Sequence, residues 1–237
     1  MGSDSPKDLI RMIEESVHEV AEEYGEIAKI VPYGKQLIKA YRWTKTHRIK
    51  RFLRSLDLAT EEITEKRKRK FNKYIESEEG KELLSEYTDT VLRTSSKTAT
   101  AALAILYADV DDEEYTKEFK VSACLGLMGI TETLIDIFAE LINVSMQSPP
   151  ISDGPYSVYS FKPPVLTLNP VLRRLISNPG MGINAIQDLI GRGLLLPDHI
   201  ATRIVGEGWQ CYYGVSQETF RFYKLLQRAQ GYIEQSQ

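Results

Sequence analysis

The ten residues "EKRKRKFNKY" (65–74) hold six cationic side chains, Lys66, Arg67, Lys68, Arg69, Lys70 and Lys73. The chemistry open to such a cluster is capture of an anion: nucleic acid, anionic lipid or an acidic protein. Upstream, Arg48, Lys50, Arg51 and Arg54 extend the run. On a helical wheel Ile49, Phe52, Leu53 and Leu56 gather on one side. Lys50, Arg51 and Arg54 occupy the other, with Arg48 at the edge, as any solvated helix face requires. Further on, Glu62 precedes Lys66, and Glu65 precedes Arg69, by one helical turn. That is the favourable order for surface pairs, each stabilising by about 0.2–0.5 kcal/mol. Arg67 lies on the Ile63–Phe71 stripe and must snorkel or meet a carboxylate. Lys68 shares Glu65 with Arg69, Lys73 has only Glu76, and Lys70 has no acid at helical spacing. A solvated, intramolecularly paired face is the preferred reading. An anion-binding face built from Arg48, Lys50, Arg51, Arg54, Lys66, Lys68, Arg69, Lys70 and Lys73 is the alternative.

Other segments carry chemistry-bearing residues without completing a site. "GMGINA" (180–185) has the glycine spacing of a dinucleotide loop, but that motif needs a strand before it, and here Asn178-Pro179 follows a helix. "DVDDEEYTKEFK" (109–120) begins like a calcium loop, yet Glu114 replaces the turn glycine and Lys120 the bidentate glutamate. It reads as an acidic loop capping the next helix. In "TSSKTAT" (94–100) hydroxyls surround Lys97 with no base nearby in sequence, so a helix start is expected. Asp136 and Glu140 share a helix face and are expected to answer cations on the basic helix. His18, His47 and His199 have no companion ligands. No catalytic constellation, metal site or cofactor emerges, and a non-enzymatic protein is expected.

The net charge of −3 conceals strong segregation. Eight acids against three bases make 1–34 −5; four against fourteen make 35–74 +10; twelve against five make 75–120 −7; nine against eight leave 121–237 at −1. Neighbouring helices could neutralise these blocks, or a basic face could stay open. The two cysteines, Cys124 and Cys211, lie in apolar surroundings, which fits reduced thiols better than a disulfide framework. No signal peptide is evident, and "CLGLMGITETLIDIFAELINV" is interrupted by Glu132, Asp136 and Glu140. A soluble cytoplasmic protein without a membrane span is expected.

The elements that must position these residues follow from proline and glycine. Between Tyr33 and Ser148 there is no proline, whereas eight of the ten prolines come later. The expected fold is mainly α: a multi-helix bundle over 1–147, a linker at 148–168, and a small α+β winged-helix-like domain over 169–237. Ser5 caps a first helix striped by Leu9, Ile13, Val17, Val20, Tyr24 and Ile27. A second carries Ile38 to Leu56, and others cover 59–76, 79–94, 96–108, 115–128 and 131–146. After the linker come a short helix from Asn169-Pro170, a helix through "INAIQDLIGRGLL", strand-like "HIATRIV" and "WQCYYGV" around "GEG", and a final helix capped by Ser216.

Helix, helix, hairpin, helix is winged-helix order. As a DNA reader its second helix offers Asn184, Gln187 and Arg192 but also Asp188, and the hairpin tip carries Glu207; Arg173 and Arg174 could touch phosphate. That set favours a protein-interaction role. The aromatics Tyr212, Tyr213, Phe220, Phe222 and Tyr223 are the interaction candidates, since adjacent pairs are not expected to face one core. Across most of the chain, with "LIGRGLLL" and "YYGVSQETFRFYKLL" as the suggestive stretches, the order of elements resembles abortive-infection alpha (Abi-alpha) proteins. The resemblance implies a bacterial, phage-defence-associated protein that senses or binds something, and transfers no functional residue. The expected function is regulation through self-association or a protein partner; the alternative is nucleic-acid binding by the basic helices 45–73.

Overall fold

In the computed structural model the described residues are 34–110, 114–153, 156–161, 173, 178–198, 203–205 and 208–235. Eight helices run among them: α1 (Gly34–Glu61), α2 (Glu65–Glu76), α3 (Glu78–Arg93), α4 (Lys97–Ala108), α5 (Lys117–Leu127), α6 (Glu132–Gln147), α7 (Pro179–Gly191) and α8 (Gln217–Gln235). Four strands, β1 (Ser152–Asp153), β2 (Ser157–Phe161), β3 (Arg203–Val205) and β4 (Gly208–Val215), form a small antiparallel sheet in the order β1-β2-β4-β3. The protein is thus mainly helical. No helix among the described residues is long and apolar enough to cross a membrane.

The chain divides into two compact units, Met1–Arg51 and Phe52–Gln237. Of the first, the described part is the opening stretch of α1; the striped helix expected over 5–27 lies outside the described residues. In the second, the helical segment and the C-terminal segment assigned by sequence to separate domains pack together. Its centre is α4. "TATAALAILYA" is apolar or small on every side, and a helix without a polar face must be enclosed; every residue from Thr98 to Ala108 is buried. Helices α3, α5, α6 and α8 lie against it. Four alanines, Ala99, Ala101, Ala102 and Ala104, present little bulk to these neighbours.

Capping residues set the helix starts. Side chains of Thr64, Ser77, Ser96, Thr116, Thr131 and Asn178 accept from backbone N–H groups of Arg67, Gly80, Ala99, Phe119, Leu134 and Met181. Ser216 does the same for Thr219. Between α2 and α3 Ser77 alone serves as C-cap and N-cap. The joint is so tight that a Cβ on Gly80 would overlap the Tyr74 carbonyl. The helix expected over 59–76 is in fact interrupted: α1 ends at Glu61 and α2 begins at Glu65. Thr64 caps the new start, and Glu62 is held by Arg228 on α8 at 2.9 Å.

The expected linker at 148–168 also differs. It contains β1 and β2, with β2 registered from Ser157↔Val215 to Phe161↔Cys211. Leu196 bridges Gly214. Tyr213 of β4 donates to the Leu141 carbonyl at 2.8 Å and lies 2.9 Å from Ser145 Oγ, fastening the sheet to α6. Of the helix expected from Asn169, the structure describes only Arg173; Arg174, His199 and Glu207 lie outside the described residues.

Candidate functional site

Helix α2 is amphipathic in an unusual way. Its inner side is anchored by Phe71, which meets the Tyr107 ring edge-on at 5.9 Å, and by Tyr74, 6.4 Å from the same ring. Arg67 also turns inward. Its Nη2 lies 2.6 Å from Asp109 Oδ1, and this carboxylate is only 4% exposed. Lys120 approaches Asp109 Oδ2 at 3.5 Å and donates to the Asp109 carbonyl, while the Tyr115 N–H donates to Oδ2 at 2.9 Å. Asp109 is the C-cap of α4, so the two cations also face the negative end of that helix dipole. Buried charge is tolerable where it is paired and hydrogen-bonded in this way.

The remaining cations divide. Lys68 pairs with Glu65 at 3.0 Å. Lys66, Arg69, Lys70 and Lys73 are all exposed. Their spacing of three, four and seven residues puts them in one row, turned away from Phe71. The row is about 10 Å long at 1.5 Å rise per residue. Lys66, Arg69 and Lys73 form no ion pair among the described residues. The acidic helix α3 follows α2 directly, yet its Asp89 pairs with Arg93 at 3.0 Å and its Glu79 with Lys117 at 3.9 Å. Among the described residues, pairing between neighbouring helices therefore accounts for only part of the cluster. On α1, Lys50 and Arg54 are exposed and Arg48 and Arg51 half-buried.

A second charged anchor ties the α1–α2 joint to the C-terminus. Arg228 donates to both carboxylate oxygens of Glu114 at 3.1 and 2.9 Å and to Glu62 at 2.9 Å. Tyr232 donates to the same Glu62 oxygen at 2.6 Å. Burial, and then that bond, push the Tyr232 hydroxyl up to about 12.

Three of the five aromatic interaction candidates belong to the core. Phe222 packs 4.6 Å from Phe119, and buried Tyr223 donates to Asn143 Oδ1 at 2.7 Å. Adjacent residues are both buried because α8 contacts α5 through one and α6 through the other. Tyr213 is the third, held by Leu141 and Ser145. Tyr212 and Phe220 are half-buried.

The remaining candidates serve architecture. Ser96 caps α4, and Glu132 accepts from the Lys97 N–H at 2.9 Å and from the Thr98 hydroxyl. Among the described residues Asp136 forms no ion pair; burial raises its carboxyl, and Glu132 and Glu140 raise it further. "GMGINA" forms the first turns of α7 behind the Asn178 cap. In that helix Asn184 and Gln187 are exposed, while Asp188 pairs with Arg192 at 3.0 Å. Arg192 in turn donates to the Gly126 and Met128 carbonyls at the end of α5. Burial pushes the Cys124 thiol up to about 11, with the Tyr87 hydroxyl opposing, and the Cys211 thiol up to about 12.

Two exposed features escape the charge-based reading. Trp43 is 67% exposed on α1 and stacks on His47, centroids 5.1 Å apart and planes 7° from parallel. On α5, Val121 and Leu125 are 58% and 65% exposed, one turn apart. Both pairs are visible in sequence as i, i+4 spacings; burial decides what such spacings mean. Comparison with protein-family models, curated proteins and solved structures gives no match.

Proposed function

We propose that this chain is a non-enzymatic nucleic-acid-binding protein that engages phosphate backbone through α2. The observation that carries the reading is the exposed row Lys66, Arg69, Lys70 and Lys73 beside an Arg67 spent on Asp109. Protein interfaces are poor in lysine and need an apolar centre, and the row contains no apolar residue. Phosphate contacts need only cations, and they are independent of sequence. The connectivity of β2, α7, β3, β4 and α8 supports a winged-helix reading of the C-terminal segment. There Asn184 and Gln187 are side chains able to meet adenine edges, with Asp188 neutralised by Arg192.

The test is titration of the full chain with duplex and single-stranded probes over a range of salt. Binding is expected to weaken steeply as salt rises. Reversal of Lys66, Arg69 and Lys73 to Glu should lower the slope of log K against log salt by about 2–3 and remove most affinity. Absence of binding to either probe at low salt overturns the proposal.

A second reading is a protein partner or self-association, favoured by Val121 and Leu125 on α5. Light scattering on the wild type and on Val121→Lys/Leu125→Lys tests it: a monomer in both argues against self-association. The resemblance to Abi-alpha proteins would place either activity in bacterial phage defence.

A further inference from the structure

We infer that Trp43, His47 and Lys50 form a stacking site for an unpaired nucleobase, so that the chain prefers single-stranded over duplex nucleic acid. The site presupposes the reading that nucleic acid is the partner.

Exposure of an indole is costly, because a tryptophan side chain has more apolar surface to bury than any other. Trp43 nevertheless stands 67% exposed on a helix. Its plane is held nearly parallel to the His47 imidazole, 5.1 Å away. The two rings make a flat aromatic unit that is already ordered, so a base laid against it forfeits little side-chain freedom. Lys50 follows His47 by three residues and is exposed on the same helix face. An aromatic platform with a cation one turn away is what a single strand requires: a π-face for the base and an ammonium for the adjoining phosphate. Bases within a duplex are stacked on one another and do not offer that face.

A lipid surface is the competing partner for an exposed tryptophan near lysine. Helices that lie in a bilayer interface bury a broad aliphatic face. On α1 the line continuing from Trp43 through His47 and Lys50 contains no aliphatic side chain beyond Ala40. The chemistry therefore favours a nucleobase.

The chain contains two tryptophans, so Trp209→Phe leaves Trp43 as the sole indole reporter. Oligothymidylate is expected to quench its fluorescence, and a hairpin duplex of equal phosphate content to leave it unchanged. In the otherwise wild-type chain, Trp43→Ala should weaken oligothymidylate binding about fivefold or more without changing duplex affinity. Trp43→Phe should recover part of the loss. Equal affinity for both probes with no effect of Trp43→Ala overturns the stacking site while leaving the α2 reading intact. A blue shift of Trp43 on phosphatidylserine vesicles, without quenching by oligothymidylate, overturns it in favour of a membrane surface. No binding of either probe at low salt removes both proposals.

Discussion

Arg67 and Asp109 stand 42 residues apart in the chain and meet at 2.6 Å. The contact joins the first turn of α2 to the end of α4, the helix around which the second unit is built. It withdraws one cation from the basic cluster and fixes which side of α2 faces inward. Lys66, Arg69, Lys70 and Lys73 share a face by their spacing, and that face meets solvent because Arg67 and Phe71 turn inward.

Replacing the carboxylate should therefore destabilise more than replacing any exposed cation. Asp109→Ala removes the carboxylate that Arg67 and the nearly buried Lys120 both face. Breaking a buried pair in this way costs about 3 kcal/mol, and urea unfolding measures it. The double variant Arg67→Met/Asp109→Ala should recover part of that loss, since the guanidinium that faced the missing carboxylate is gone too. Equal stability of Asp109→Ala and wild type would refute the anchoring role.

The joint between α2 and α3 gives an independent steric test. Ser77 is the single residue separating the helices, and Gly80 leaves no room for a Cβ beside the Tyr74 carbonyl. Gly80 also offers its carbonyl to the buried Tyr107 hydroxyl at 3.0 Å. Alanine is the better helix former, yet Gly80→Ala should lower stability by about 1–3 kcal/mol as the joint opens. A gain in the unfolding midpoint would contradict this packing.

These anchors explain what sequence could disclose. The α4 span is legible because a helix apolar all round has one solution, burial. Ser216 is legible as a cap because it precedes a periodic run. The break at 62–64 is not: the apolar stripe continues through Ile63, and the contact of Glu62 with the distant Arg228 has no signal in local spacing. Strand β2 is hidden among prolines and serines, since its partner β4 lies some fifty residues on and only pairing reveals it. The aromatics of α8 are misread because one-sided burial is the usual rule for a helix, whereas Phe222 and Tyr223 reach two different helices. For the basic cluster, spacing shows which cations could pair but not that Arg67 finds Asp109.

Neutralising the exposed row should leave the fold untouched. Lys66→Gln/Arg69→Gln/Lys73→Gln removes cations that form no ion pair among the described residues. Surface substitutions of this kind shift stability by about 0.5 kcal/mol or less. The thermal midpoint should match wild type while oligonucleotide affinity falls. A large drop in the midpoint would mean that the row is structural and would weaken the binding proposal.

High pH should destabilise the fold through the thiols of half-buried Cys124 and buried Cys211 and the buried phenol of Tyr232. In the unfolded chain a cysteine loses its proton near 9.0, whereas in the fold Cys124 holds it to about 11 and Cys211 to about 12. Tyr232 likewise moves from 10.0 to about 12. Above pH 9 the unfolded state therefore binds fewer protons than the native one, and stability falls as pH rises. The stabilisation is fully present below pH 9 and is lost as pH rises through about 11 and 12. Cys124→Ala/Cys211→Ala should flatten the onset of that decline in urea titrations between pH 8 and 11, although the smaller side chains lower stability throughout. The same raised values predict slow alkylation of both thiols by iodoacetamide at pH 8, because thiolate is the reactive form. Rapid labelling of Cys211 in the native protein, followed by mass spectrometry, would show that β4 opens far more readily than its bond to α6 through Tyr213 allows.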